Sequence, residues 1–278
     1  MSTPTTARAV PRVALPDGLA ALAAAPGARL GHRVPAAAPL HPETLARLCA
    51  RVPPAWVGGT AVQSDPRAVR CLAARHPDPV AAVRGDAATP GYVSLANLEL
   101  LAEFADLARA IEHEVRACVG ADEGGVTRVN LGALVSPPGS VVPVHADQHH
   151  NLLLQVTGTK AVWVEAEPDR RRHDARVHAH YRTPTDPVAL PPARSVVLEP
   201  GSGVYIPPDG FHWVVVGDEP SVGLSVGFST VRTEAVVDAR RVDRALDRWG
   251  LPVRGRAHPG GRTTAVKAAL RRVGRPRD

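Results

Sequence analysis

Two histidines and one aspartate carry the chemistry this chain is equipped for. His145-Ala146-Asp147 opens the run His145-Ala-Asp-Gln-His-His-Asn-Leu-Leu-Leu-Gln-Val156, which reads as a β-strand. Residues two apart on a strand share a face, so His145 and Asp147 are expected to point the same way. An imidazole and a carboxylate side by side are two corners of a divalent-metal site. The best third corner is His212, in Tyr205-Ile-Pro-Pro-Asp-Gly-Phe-His-Trp213, a strand, a turn and a second strand. Two histidines and one carboxylate on one side of a metal, with open positions opposite, form the arrangement used for non-haem Fe(II) oxygen chemistry.

The tripeptide by itself is more simply a satisfied histidine beside an acid. Three additions shift the balance. Asn151 has the strand parity of 145 and 147 and is expected to face the same cavity. Lys160 starts the partner strand of a hairpin, 15 residues after His145. His212 follows 67 residues after His145, with enough strands between them to close a barrel. Lys160 stands out for a further reason: of 33 basic residues only Lys160 and Lys267 are lysines. In a chain that so favours arginine, a lysine marks a place suited to a compact ammonium and not to a planar fork. His149 and His150, beside the motif, are expected to line the cavity mouth or meet solvent, because three protein ligands already leave the positions the chemistry needs.

The elements that must hold these residues follow from spacing. Helices are expected over 17–25, 42–50 and 66–75, with strands over 30–34, 57–62 and 92–95. Apolar residues at Leu98, Leu101, Phe104, Ala105, Ala108, Ile111 and Val115 keep helical spacing up to Val119. From 126 the pattern changes to short strands broken by Gly and Pro: 126–135, 141–147, 151–156, 160–165, 195–198, 203–206, 211–216 and 221–229. Such closely spaced strands imply a sandwich or barrel. Residues 167–187, polar and rich in Arg and His, read as a surface insertion. Two helices, 233–249 and 263–273, close the chain. The expected class is mainly β with flanking helices, organised as a double-stranded β-helix (jelly-roll or cupin) barrel. Its divisions are 1–125 packing on the barrel, 126–230 as the barrel, and a basic helical segment over 231–278.

Composition narrows the function classes. Of 278 residues, 44% are hydrophobic, enough for a full core. No apolar run reaches membrane-spanning length, and the first residues lack the apolar core of a signal peptide. Cys49, Cys71 and Cys118 are far apart and odd in number, which suits free buried thiols in a reducing cytoplasm. From Arg232 onward, twelve Arg and one Lys face five acids, an excess of +8, so the rest of the chain carries −2 of the net +6. A solvated helical face is the simpler account of that excess, and no nucleic-acid-binding motif accompanies it.

Two segments resemble a known family. His145-Ala-Asp147-Gln-His-His-Asn151-Leu-Leu-Leu-Gln-Val-Thr-Gly-Thr-Lys160 is similar to the ligand-bearing segment of the JmjC, or cupin-like, 2-oxoglutarate dioxygenases, particularly the asparaginyl-hydroxylase-like subgroup. Leu198-Glu-Pro-Gly201-Ser-Gly-Val-Tyr205-Ile-Pro-Pro-Asp-Gly-Phe-His212 resembles the family's second motif. The resemblance covers about 126–230. It implies that His145, Asp147 and His212 hold Fe(II). It implies that Lys160 pairs with the far carboxylate of 2-oxoglutarate, that Asn151 lines the cosubstrate pocket, and that Tyr92 supplies a hydroxyl beside Lys160. O₂ would complete the reaction. Val142 and Gly227 depart from the pattern where relatives offer Thr or Ser and Asn or Thr; Ser225 and Thr127 are the candidates to substitute. The implied activity is hydroxylation of a peptidyl or amino-acid side chain in a peptide, protein or free amino acid, with demethylation of an N-methyl group using the same chemistry. A non-catalytic cupin that binds a ligand or partner is the alternative. The apolar stripe of the helix after Arg232 is expected to pack on its own barrel, a homodimer contact being the other reading.

Overall fold

The computed structural model describes residues 12–15, 18–24, 27–35, 39–68, 75–88, 90–166, 169–182, 189–251, 257 and 261–273. The N-terminal part alternates short elements: β1 (Val13–Ala14), α1 (Leu19–Ala24), β2 (Arg29–His32), α2 (Pro42–Arg51), β3 (Val57–Ala61), α3 (Pro79–Arg84), β4 (Gly91–Leu95) and α4 (Ala105–Cys118). Eight strands follow: β5 (Val126–Ser136), β6 (Val141–Ala146), β7 (His150–Thr157), β8 (Lys160–Glu165), β9 (Ala193–Leu198), β10 (Ser202–Ile206), β11 (Phe211–Val216) and β12 (Ser221–Thr230). Helix α5 (Arg170–Arg182) lies between β8 and β9, and α6 (Val231–Arg248) and α7 (Arg262–Val273) come last.

The eight strands divide between two antiparallel sheets. One has the order β10-β7-β12-β5, the other β6-β11-β8-β9. Successive strands thus cross from sheet to sheet except at β8–β9, which is the jelly-roll winding of a double-stranded β-helix. The first sheet is lengthened at both edges, by β2 and β1 beside β10 and by β4 and β3 beside β5. Those additions cover edges that would otherwise offer unpaired backbone groups.

Strand alternation separates two cores. Between the sheets, Leu153, Val162, Val164, Leu198, Val204, Ile206 and Val214 form an apolar filling. On the other side of the larger sheet, Leu131, Ala133, Leu152, Leu154, Val226 and Phe228 meet Leu45, Leu48, Leu107, Ile111 and Val115 from α2 and α4. β7 therefore has apolar residues on both faces, as a strand buried from both sides must. Cys49 and Cys118 are buried free thiols. At the start of α6, Thr230 and Thr233 exchange side-chain-to-backbone hydrogen bonds in a capping box, which stops β12 and starts the helix in one residue. Lys267 of α7 lies 2.5 Å from Asp243 of α6, both buried, and joins the two helices. No helix among the described residues is long and apolar enough to cross a membrane.

The structure differs from expectation in five places. Residues 167–187 are not a plain surface insertion: α5 occupies Arg170–Arg182. Its composition is nearly all polar, so its order comes from anchors. Asp169 Oδ1 accepts from the Arg171 and Arg172 amides at the helix start. Buried Glu165 holds His173 and Arg176. Val177 and Tyr181, one turn apart, pack against Phe211 and Trp213. The helical spacing from Leu98 begins as two 3₁₀ turns, Leu98–Leu100 and Ala102–Phe104, because Leu101 between them is extended. Helix α3 has no counterpart in the expected elements; Asp78 caps it and Gly85 ends it at φ +83°. Finally, Asp147 is not on a strand, since β6 stops at Ala146 and β7 begins at His150. The expected helix over 66–75 shows Pro66–Ala68 as a turn, and residues 69–74, with Cys71, lie outside the described residues.

Candidate metal centre

The end of β6 and the start of β11 lie side by side in the smaller sheet. His145 is paired directly with His212 in the antiparallel register, and the two imidazole centroids are 4.0 Å apart. Asp147 reaches the same point from the loop after β6. Its Oδ2 lies 3.9 Å from His145 Nε2 and 3.8 Å from His212 Nε2. One donor atom from each of the three lies within 4.8 Å of the others. Among the described residues this is the one group of three or more such side chains placed to share an ion.

The hydrogen bonds around the rings show what they are set up to bind. His145 Nδ1 is 2.8 Å from the Pro143 carbonyl, and His212 Nδ1 is 3.0 Å from the Gly210 carbonyl. A carbonyl oxygen only accepts, so each Nδ1 carries the proton and each Nε2 presents its lone pair toward the carboxylate. Two lone pairs and a carboxylate converging on one point, with gaps too long for hydrogen bonds between them, form a set of donors that could hold a cation. First-row divalent ions hold such N and O donors at about 2.0–2.2 Å, so two donors on one ion are at most about 4.4 Å apart; the observed gaps fall within that reach. The backbone carbonyls that orient the rings are the usual outer partners of metal-bound histidines.

Two clamps hold the ligand-bearing segments together. The Asp209 amide donates to the Asp147 carbonyl at 2.7 Å. Asp209 itself has φ +66°, a left-handed conformation that a non-glycine residue adopts only when its surroundings impose it. The imposing group is Arg240 of α6, which meets the Asp209 carboxylate with both nitrogens of its fork at 2.6 and 2.5 Å. From α5, the Tyr181 hydroxyl donates to the Ala146 carbonyl at 3.2 Å, and Glu165 accepts the Phe211 amide at 3.2 Å, next to His212. The pair Arg240–Asp209 is 13% and 9% exposed, so breaking it strands a buried charge. Arg240→Ala is expected to cost about 3 kcal/mol or more in chemical denaturation, and to loosen divalent-metal binding by roughly tenfold through the turn that carries His212. Arg240→Lys should recover only part of either loss, because an ammonium cannot span both oxygens.

A cavity of about 480 Å³ opens onto the centre, lined by His145, Asp147, Asn151, Asn130, Tyr181 and Ser225 among others. Asn151 faces it from β7, in the opposite sheet. Shared strand parity with His145 is therefore not what brings Asn151 to the site; the facing of the two sheets is. Ser225 donates to Asn151 Oδ1 at 2.9 Å. Gly227, opposite Asn151 in register, lacks a side chain because Asn130 from β5 occupies that space: a Cβ on Gly227 would stand 2.7 Å from Asn130 Oδ1. The amide missing at 227 is thus supplied by the neighbouring strand. Sequence reasoning passed over Asn130, although a polar residue on the Leu134 face of β5 was a usable signal. Thr127 does not reach the site; its hydroxyl donates to Glu234 at 2.9 Å. Val142 packs against the apolar filling between the sheets.

Lys160 lies deeper. Its side chain is buried, and a Cβ on Gly223 would lie 3.3 Å from its Nζ. Burial pulls its pKa down from the lysine range to about 8, and among the described residues no carboxylate is paired with it. Positions 223, 225 and 227 share one face of β12, so Lys160 Nζ lies against the position two residues before Ser225, which lines the cavity. Tyr92 also stands on the inner side of its sheet: Ser94, two residues on, pairs with Leu134, which packs between the sheets. Tyr92 is not among the described residues lining the metal cavity. His149 lines the cavity, its Nδ1 3.0 Å from the Ser229 hydroxyl. His150 also borders the cavity, as expected, but its ring is buried, stacked on Phe228 with centroids 4.7 Å apart and with Nδ1 2.8 Å from the Tyr205 hydroxyl. Burial lowers its pKa to about 3, so it borders the cavity as a neutral ring.

Comparison with known proteins follows the same lines. The family model described as the JmjC domain matches residues 113–236, so the resemblance read from the two motifs is borne out over that segment. The chain is similar to Jumonji C domain-containing protein 5 of Drosophila melanogaster, 30% identical over 146 residues, which are 46% of this chain and 36% of that protein. It is also similar to lysine-specific demethylase JMJ30 of Arabidopsis thaliana, 29% identical over 119 residues, 38% of this chain and 27% of that protein. The chain thus spans about a third of the length of the curated relatives it matches. Among solved structures it is similar to Escherichia coli ycfD, with 19% identity, 96% of this chain and 65% of that one covered, and a TM-score of 0.48.

Proposed function

We propose that this chain is an Fe(II)- and 2-oxoglutarate-dependent dioxygenase that hydroxylates a side chain of a peptide, protein or amino acid. The observation that carries the reading is the convergence of His145 Nε2, His212 Nε2 and the Asp147 carboxylate on one point. When bound, Fe(II), 2-oxoglutarate and O₂ supply the oxidising power, 2-oxoglutarate leaving as succinate and CO₂ while one oxygen atom enters a C–H bond.

The protein's own contribution is placement. His145, Asp147 and His212 offer three donors from one side, which leaves the cavity side for the cosubstrate and O₂. Lys160 supplies a buried ammonium without a carboxylate partner among the described residues, on the strand face that carries Ser225 of the cavity wall. A carboxylate placed there forms a charge-assisted contact shielded from water. Ser225, Asn151 and Asn130 give the cavity wall hydroxyl and amide groups that orient polar atoms, in the place of the hydroxyl that Val142 lacks. Tyr181 and His180 complete the lining from α5. Tyr92 is proposed to support the Lys160 end from the same inner face.

The test is an anaerobic titration of the apoprotein with Fe(II) and then 2-oxoglutarate. A visible charge-transfer band that needs both components is expected, with slow succinate formation on admitting air. Tight Fe(II) binding without a band would favour a metal-holding cupin that binds some other ligand. No tight metal at all would remove the enzyme reading.

A further inference from the structure

Beside the metal cavity lies a larger groove of about 910 Å³ between the end of α5, helix α6 and helix α7. Its described lining carries five arginines, Arg182, Arg241, Arg244, Arg248 and Arg271, against one acid, Asp247. Arg241 leans on Asp238 at 3.1 Å, while Arg182, Arg244 and Arg248 have no carboxylate partner among the described residues. In the same groove Trp249 and Leu270 are 76% and 62% exposed. The groove adjoins the metal cavity: Arg244 lines both spaces, and Tyr181, Arg182 and Arg244 line a smaller pocket beside them that also carries Asp174, Asp243 and Asp247.

We propose that this groove holds an acidic segment of a protein or peptide substrate, whose target side chain enters the metal cavity past Arg244. The proposal takes its substrate role from the dioxygenase reading; the binding itself stands apart from it. Arginine forks match carboxylates in geometry as well as charge. From Arg232 onward the sequence carries an excess of +8 while the remainder is slightly acidic, and within the groove's described lining five arginines meet one acid, so the positive charge is local. Such a field steers an acidic partner toward one surface. Trp249 and Leu270 add exposed apolar area for the side chains between the acids. A nucleic-acid strand fits less well, since it needs a row of aromatic platforms and the described lining has a single aromatic residue, Trp249.

The experiment is fluorescence anisotropy of the full chain with labelled oligoglutamate, oligolysine and oligothymidine. Oligoglutamate is expected to bind saturably and to weaken as salt is raised. The double change Arg182→Glu with Arg248→Glu, one residue on each wall, should weaken it by about tenfold or more, and Trp249→Ala, tested separately, by less. Circular dichroism identifies any variant that fails to fold, and the other variant then carries the test. Equal binding by parent and folded variants, or preference for oligolysine, overturns the proposal. Tighter binding of oligothymidine than of oligoglutamate overturns it in favour of a nucleic-acid partner. Failure here with the Fe(II)–2-oxoglutarate band intact spares the dioxygenase reading; acidic-peptide binding without the band spares the groove and removes the oxidation.

Discussion

Asp147→Ala is expected to abolish tight Fe(II) binding and to leave the two sheets folded. The carboxylate is the one anionic donor of the three, and without it two neutral imidazoles remain. Loss of an outer partner of a metal ligand typically costs roughly 10–100-fold in affinity, and removal of a ligand costs more, so binding should weaken by more than about 100-fold. The fold should barely notice. Asp147 lies in the loop between β6 and β7 with its side chain 37% exposed, and the contact that ties this loop to the Pro-Pro-Asp-Gly turn is its main-chain carbonyl, which alanine keeps. Thermal unfolding of the apoprotein should therefore shift little, while isothermal titration with Fe(II) loses its signal. Asp147→Glu restores the charge one methylene out of place and should recover only part. Unchanged Fe(II) affinity in Asp147→Ala would show that the three side chains do not form the metal site.

Lys160→Met is expected to move stability and cosubstrate binding in opposite directions. Burial lowers the Lys160 pKa from 10.5 to about 8, whereas the unfolded chain keeps the proton through the ordinary lysine range. Below about pH 8 both states are protonated and the folded chain carries the full penalty of a buried ammonium, on the order of 3 kcal/mol. Between about pH 8 and 10.5 the unfolded state binds more protons, so stability rises with pH and the penalty is relieved. Replacing the ammonium by an apolar group of similar length removes that penalty, so the cosubstrate-free variant should be more stable at pH 7 by up to about 3 kcal/mol. The same change removes the partner of the distal carboxylate, and 2-oxoglutarate binding should fall by about 100-fold or more, the scale of a lost buried ion-pair partner. In the parent, 2-oxoglutarate affinity should hold below about pH 8 and decline by about tenfold per unit above it. Denaturation and the visible titration, run on parent and variant across that range, check both arms. A variant that is destabilised yet still binds 2-oxoglutarate would assign Lys160 to the core and not to the cosubstrate.

The Lys160 prediction also shows why a buried charge persists here. A barrel filled with Leu153, Val162, Val204 and Val214 would be more comfortable with another aliphatic residue at that point. Proteins tolerate such a local cost at sites that bind and act.

Much of this was legible in the amino-acid order. Short alternating strands broken by Gly and Pro determine the barrel class, because a two-residue period and a turn are local properties of the chain. His145, Asp147 and His212 stood out by type and spacing, and Lys160 by the rarity of lysine. What the tertiary structure decided are contacts between segments far apart, which leave no periodic trace. Local alternation placed Asp147 on a strand and Asn151 on its face; in the fold Asp147 turns in from a loop and Asn151 arrives from the opposite sheet. The space at Gly227 is filled by Asn130 of a neighbouring strand, and the turn before His212 is held by Arg240, 31 residues later. Helix α5, nearly all polar, becomes ordered because Glu165, Phe211 and Trp213 provide it with a charge partner and an apolar seat. Residue type and short-range period depend on neighbours in sequence, whereas the pairing of sheets and the burial of ion pairs depend on which distant surfaces exclude water from one another.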